Sequence, residues 1–393
     1  MSAPADPTLA TMLPPGSASP RSHLLADAHG APPAGDPGDG KAFLTFADPA
    51  REAAFGHWLR ETATAHELVP ASARLASADA SFRRYFRVDT IAGDSRIIMD
   101  APPDMEDSAP FVKIAALMRE AGVKAPRVLA WDQRDGFLLL DDLGQRTMLE
   151  VVDSNDAETN RPLYEQAIDA LVRWQQASRA GVLPPYDRAL LERELTLFPD
   201  WYLARHRGVV VEGKLAERLA QSFEIIVREN LKSPQVFVHR DFMPRNLMVA
   251  DNDAERAELG VLDFQDAVYG PISYDIASLM RDAFLSWDEA FVIDITARYW
   301  ERAREAGLPV DADFGDFYRA VEWMGLQRHL KVAGIFARLT LRDGKAKYLA
   351  DAPRFIGYIR ATASRYRELA PLSHIIDEVE GATGTSGYAF GRV

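Results

Sequence analysis

The chain has 393 residues, 47% hydrophobic and 26% charged, a globular mix with enough apolar material for a core. It contains no cysteine, which excludes disulfides, a thiolate nucleophile, iron–sulfur clusters and cysteine-ligated zinc, and fits a reducing compartment. With 45 basic against 58 acidic side chains the formal net charge is −13, a field that repels phosphate backbones and argues against nucleic acid as a partner. No basic, apolar leader opens the sequence and no apolar run approaches the roughly 20 residues of a membrane span. The expectation is a soluble cytoplasmic protein with no membrane partner, and nothing points to an obligate protein partner.

Residues 1–41 read as a disordered tail. The first 40 hold eight of the 24 prolines and five glycines, with no aromatic, Ile or Val, too little apolar surface to offset chain entropy. The run Gly35 to Lys41 has the spacing of a phosphate-binding loop, but Ala42 replaces the Ser/Thr and no strand precedes it. A first lobe is expected over 42–142. Asp48–Thr64 has helical periodicity, and Phe82–Asp89 and Arg96–Asp100 read as strands joined through Gly93 and Asp94. Ser108 is placed as the N-cap of a helix with Pro110 in its first turn, ending before Gly122. Arg127–Trp131 and Phe137–Leu140 form a second strand pair, so residues 75–142 run β-β-α-β-β.

After Gly144 the spacing turns helical, over 162–177, 186–206 and 215–231. Short strands return only in 235–264, and Gly270-Pro271 reads as turn chemistry. Helices are then expected over 273–284, 289–306, 314–341 and 352–369. The predicted class is α+β, with a small β-rich lobe followed by a larger, mainly helical lobe over 143–393.

The stretch from Gln235 to Asp266 carries the chemistry. Gln235–Val238 is a strand ending at His239, Leu247–Ala250 leaves Asn246, and Leu259–Leu262 returns to Asp263. If the last two pair as a hairpin, Asp263 comes back beside Asn246 and one patch collects Asp241, Asn246 and Asp263. Carboxylate and amide oxygens suit a hard cation such as Mg²⁺, which binds few protein ligands and relies on phosphates for the rest. Asp241, on the loop itself, is left to accept a proton. Together, H-R-D-x-x-x-x-N, an apolar hairpin and D-F make the kinase catalytic-loop and metal-site signature.

HRDFMPRN followed by LDFQDAVYGPISYDIASL resembles the aminoglycoside phosphotransferase/choline kinase superfamily, the small-molecule branch of the protein-kinase-like two-lobe fold. The resemblance implies ATP and Mg²⁺ as cofactors, Asp241 as catalytic base, Asn246 and Asp263 as metal ligands, and His239 bracing the loop. It also implies that Asp275 ties a helix to that loop. Ser81-Phe82-Arg83-Arg84-Tyr85-Phe86-Arg87 stands where the family has its nucleotide-covering loop, but without glycines. Ser81, Phe82, Arg83 and Arg84 are accordingly the expected phosphate-side residues. Met99 stands about where the family has its phosphate-binding lysine. Phe137 to Gly144 matches the hinge, which makes Asp141 and Asp142 further nucleotide-side candidates.

Several segments narrow the resemblance: Ser81 to Arg87, Met99-Asp-Ala-Pro-Pro103, Glu106-Asp107, His239 to Asn246, Gln327-Arg-His-Leu-Lys331 and Gly334 to Arg338. Together they are similar to the branch of anomeric kinases acting on N-acetylmuramate and N-acetylglucosamine in bacterial cell-wall recycling. A small-molecule amino sugar is then the expected partner. Its hydroxyls and ring face call for polar and aromatic groups, which Glu194, Asp200, Trp201 and Tyr202 offer. Arg328, with His329 and Lys331, supplies cationic charge for a lactyl carboxylate. An aminoglycoside or choline-like cation is the alternative acceptor. A nucleotide-sensing pseudokinase is the non-enzyme alternative, against which the intact Asp241, Asn246 and Asp263 argue.

Overall fold

The computed structural model describes Phe46 and residues 48–78, 82–250 and 258–381. The expected tail, Ser81 and most of the polar turn before Glu258 lie outside the described residues. α1 (Pro49–His66) starts where the Asp48 carboxylate accepts from the Ala50 N–H at 2.9 Å. Three strands follow: β1 (Arg74–Ala78), β2 (Arg84–Asp89) and β3 (Ser95–Asp100). After α2 (Ala109–Glu120) come β4 (Val128–Asp132) and β5 (Phe137–Asp141). All pair antiparallel, in the spatial order β1-β2-β3-β5-β4.

The observed run is therefore β-β-β-α-β-β. β1 carried no pattern because it lies at the sheet edge, where Leu75 is 54% exposed and no apolar face is required. Ser108 sits at the cap of α2 but in helical backbone, so its side chain makes no cap bond. Asp107 accepts from the Ala109 N–H at 2.9 Å instead. Alternation along the strands gives the sheet two apolar faces. Phe86, Val88, Ile98 and Leu139 pack on Phe55, Trp58 and Leu59 of α1. Met99, Leu138 and Leu140 pack with Phe111, Ile114 and Met118 of α2, in a core that continues into the second lobe.

The second lobe begins with β6 (Arg146–Thr147), α3 (Met148–Val151), α4 (Arg161–Gln176) and α5 (Arg188–Leu195). A π-helical stretch, Phe198–His206, precedes α6 (Gly213–Asn230) and β7 (Gln235–Val238). β8 (Leu247–Val249), β9 (Gly260–Val261), β10 (Val268–Pro271) and α7 (Ser273–Met280) follow, then α8 (Glu289–Glu305), α9 (Phe314–Leu341), α10 (Ala352–Arg365) and α11 (Ala370–Glu380). The helix expected over 186–206 is thus broken. Asp187 caps α5, and Pro199 cannot continue its hydrogen-bond ladder. Gly270-Pro271 is not a turn but the end of β10, which pairs with β7; a β-carbon on Gly270 would meet the Tyr186 side chain at 2.6 Å. The hairpin of β8 and β9 forms as expected, with Leu247 opposite Val261. No helix among the described residues is long and apolar enough to cross a membrane.

α9 organises this lobe. Every residue from Val321 to Ala337 is buried, including Gln327, Arg328, His329 and Lys331. These polar side chains face protein on all sides instead of forming a solvated stripe. Gly334 lets α9 approach the turn after α5, because any β-carbon there would run into the Leu197 backbone carbonyl. Gly334→Ala should therefore cost about 1–3 kcal/mol through overpacking, read as a lower urea midpoint at unchanged slope. An unchanged midpoint would show that the two elements are free to separate.

Candidate active site

The loop after β7 is pinned from below by α7. One Asp275 carboxylate oxygen accepts from the His239 N–H at 2.8 Å, and the other accepts from the Arg240 N–H at 3.0 Å. Burial pushes the Asp275 pKa up to about 7 despite both bonds. Arg240 has φ 79°, and Asp263 across the site has φ 63°. Left-handed backbone at a non-glycine residue is unfavourable and persists only where the surroundings hold it. Here two such residues flank one site.

His239 is a brace. Its Nε2 lies 3.0 Å from the Leu262 carbonyl, and its Nδ1 accepts from the Asp241 N–H at 3.3 Å. Burial lowers its pKa to about 4, so it is neutral at pH 7, with the proton on Nε2 as these two contacts require. The Asn246 side-chain amide donates to the Asp241 carbonyl at 2.8 Å and to Asp263 Oδ2 at 3.3 Å. Gln265 holds the other Asp263 oxygen at 2.7 Å. Asp241, only 4% exposed, keeps its Oδ1 buried with no hydrogen-bond partner.

A buried charge network stands behind the loop. Glu194 Oε1 accepts from Arg240 Nη2 at 2.7 Å and lies 3.1 Å from Lys331 Nζ, while Oε2 accepts from the Tyr186 hydroxyl. Burial alone would raise the Glu194 pKa, but Lys331 and Arg240 bring it down to about 2. Lys331 also donates to the Tyr274 hydroxyl at 3.0 Å, and the Arg328 guanidinium donates to Ser278 Oγ at 2.6 Å. Burial raises the pKa of Asp241, opposed by Lys331, Arg240 and Arg328 in that order.

The other expected site residues divide. Arg328 reaches the neighbourhood of Asp241, whereas both Glu194 oxygens are engaged by Arg240, Lys331 and Tyr186. Asp200 is exposed, Trp201 stacks under Arg205 with 4.2 Å to the ring centroid, and the Tyr202 hydroxyl donates to Glu380 of α11. Tyr202 and the neighbouring Arg207 thus contact the C-terminal helix, at Glu380 and Val379. In the sheet lobe, Phe82 is 47% exposed and donates its N–H to Glu106. Arg83 lies buried, 3.4 Å from Glu106. Arg84 and Arg51 bind opposite oxygens of the fully buried Asp100. Asp141 pairs with Arg127 at 2.7 Å and Asp142 with Arg87, so both carboxylates are engaged within the sheet lobe. Met99 is fully buried between Tyr85 and Leu138.

A family model for phosphotransferase enzymes matches residues 72–308, from the sheet through the catalytic loop and α8. The chain belongs to the phosphotransferase enzyme family. This phosphotransferase is 52% identical over 311 residues to the N-acetylmuramate/N-acetylglucosamine kinase of Pseudomonas aeruginosa, covering 79% of this chain and 89% of that protein. It is 50% identical over 307 residues to the Neisseria meningitidis protein of the same name, covering 78% and 90%. Its fold is similar to that of a Plasmodium vivax ethanolamine kinase, with a TM-score of 0.52 at 12% identity over 81% of this chain and 89% of the other.

The donors in the phosphotransferase fit a divalent cation carried by a polyphosphate. The Asn246 amide nitrogen is occupied, which turns its oxygen to the same use as the Asp263 carboxylate. Among the described residues no cluster of three or more His, Asp or Glu forms a self-sufficient metal cage. Two oxygen ligands suit Mg²⁺, which takes the rest from phosphates and water.

Sequence reasoning did not single out Arg240 or Gln265, which contact Glu194 and Asp263. Arg240 lies inside the loop motif, but its partner Glu194 is far away in the chain. The neutral His239 has a consequence for stability. In the unfolded chain it protonates near pH 6.5, in the fold only near 4, so the fold loses stability as pH falls through that window. His239→Asn should flatten the decline of melting temperature between pH 6.5 and 4. Parallel curves for the two proteins would contradict the buried neutral imidazole.

Proposed function

We propose that this phosphotransferase moves the γ-phosphate of ATP to the anomeric hydroxyl of N-acetylmuramate or N-acetylglucosamine, with Asp241 as the base. The observation that carries the reading is the Asp241 carboxylate, buried, with Oδ1 left without a partner in a loop held by Asp275 and Asn246. The two relatives at about half identity, both named for these sugars, support the acceptor class.

Phosphoryl transfer asks a protein mainly to position the reactants and stabilise charge. As the acceptor oxygen attacks the γ-phosphorus, Asp241 takes its proton, the bond to the β–γ bridging oxygen breaks, and ADP leaves beside a sugar 1-phosphate. An anomeric hydroxyl is the most acidic on the ring, so a carboxylate base suffices. The raised Asp241 pKa strengthens that base, and Lys331, Arg240 and Arg328 keep its ionised form accessible. Asn246 and Asp263 hold Mg²⁺, which when bound neutralises charge on the phosphates. The need for ATP places the reaction in the cytoplasm, with a small-molecule partner and no nucleic acid.

ADP release at fixed Mg·ATP, measured with N-acetylmuramate, N-acetylglucosamine, choline and kanamycin side by side, tests the reading. The amino sugars should support turnover, and phosphorus NMR of the product should show coupling to the anomeric proton. Asp241→Asn should lower kcat by about 10²–10⁴-fold. Turnover with choline or kanamycin alone, or a 6-phosphate product, would overturn it.

A further inference from the structure

Among the described residues, buried carboxylates have both oxygens engaged, with two exceptions. Asp100, Glu106, Glu194, Asp275 and Glu322 each have partners at both oxygens. Among the described residues only Asp241 and Asp282 bury a carboxylate oxygen with no hydrogen-bond partner. Asp241 is the proposed base. Asp282 has no role yet.

Asp282 follows the end of α7 and is 2% exposed. Its Oδ1 accepts from the Ala283 N–H at 2.5 Å and the Phe284 N–H also acts on the carboxylate, while no hydrogen bond of ordinary geometry ends on Oδ2. Two guanidiniums act on it without pairing to it. Arg245 comes from the catalytic loop, with its Cζ 5.0 Å from the Phe284 ring centroid. Arg328, 4% exposed, comes from α9. Arg328 donates to Ser278 Oγ of α7 at 2.6 Å, and Arg245 lies over Phe284, two residues beyond Asp282, so both guanidiniums stand against the segment that carries Asp282. Arg245 Nη1 and Arg328 Nε are themselves buried without partners. The wall beside the base therefore holds two unmet acceptors and two unmet donors.

An unmet buried polar group costs roughly 1–3 kcal/mol, more when charged, and one ligand that both donates and accepts relieves all four. A hydroxyl does both. A quaternary ammonium has no hydrogen to give Asp282, and a polycationic acceptor would be repelled by the two arginines. We propose that Asp282 is the specificity-determining carboxylate of the acceptor site, accepting the O–H of a pyranose hydroxyl other than the one that reacts, with Arg245 and Arg328 donating to neighbouring sugar oxygens. The inference rests on the amino-sugar reading above and assigns the recognition to this wall, away from the 198–206 turn.

The test is steady-state kinetics of Asp282→Asn with N-acetylglucosamine and its monodeoxy analogues, with melting temperature as the folding control. Loss of a hydrogen bond to a charged acceptor should raise the sugar KM about 10–100-fold, with the KM for ATP within twofold. The deoxy analogue penalised most by the unaltered enzyme should be penalised no further by Asp282→Asn. A sugar KM within twofold of the unaltered protein, or undiminished discrimination among the analogues, overturns the assignment. Should the variant not fold, the unaltered protein decides: the Ala283 amide resonance must shift on titration with N-acetylglucosamine, and a stationary resonance refutes the contact. If the unaltered enzyme phosphorylates no amino sugar, the functional reading fails instead, and the two failures are distinguishable.

Discussion

The site depends on one buried anion. Glu194 neutralises both Arg240 and Lys331 at 2.7 and 3.1 Å, and without it two cations would stand uncompensated in the interior beside the base. Breaking a buried ion pair by removing one member typically costs about 3–5 kcal/mol, because the remaining charge stays desolvated. Arg240 itself has left-handed backbone, and its N–H and that of His239 are held by Asp275. Charge balance behind the loop is thus set by a side chain on α5, supported by Lys331 from α9 and Tyr186 from the loop before α5, while Asp275 and Asn246 hold the loop backbone.

The two lobes solve different problems with arginine. In the sheet lobe, guanidiniums tie strands to flanking segments through Asp100, Glu106 and Asp142, so a nucleotide-side loop without glycines is fixed by ion pairs. In the helical lobe, Arg245 and Arg328 bury nitrogen atoms without partners. Planar, permanently charged guanidinium suits both uses. The pair Arg83–Glu106 is a buried, charge-compensated contact, and Met99 sits in the core.

Much of this was legible in the sequence where the information is local. The catalytic loop is one contiguous run, and the apolar strands on either side of the 251–258 turn brought Asp263 to Asn246. The helices α4, α6, α8 and α9 are periodic and came out within a few residues of their observed ends. What the sequence did not show was non-local. Nothing near Glu194 signals that it would be held by Arg240 and Lys331, which lie 46 and 137 positions further along the chain. Nor does the hinge run show that Asp141 and Asp142 would pair with Arg127 and Arg87 from other segments. β10 was masked by Gly270-Pro271, residues that usually mark turns. Asp282 carried no motif, and only the burial of its unpaired oxygen singles it out.

The pH profile of kcat for Glu194→Gln tests the central dependence most directly. Removing the anion frees the charge of Lys331 and Arg240 to act on Asp241, which favours its ionised form. The account predicts that the acid limb moves to lower pH and that kcat at neutral pH falls at least about tenfold, as expected when a general base is weakened and misplaced. An acid limb and kcat matching the unaltered enzyme would contradict it, and Asp241 would then owe its position to Asp275 and Asn246 alone.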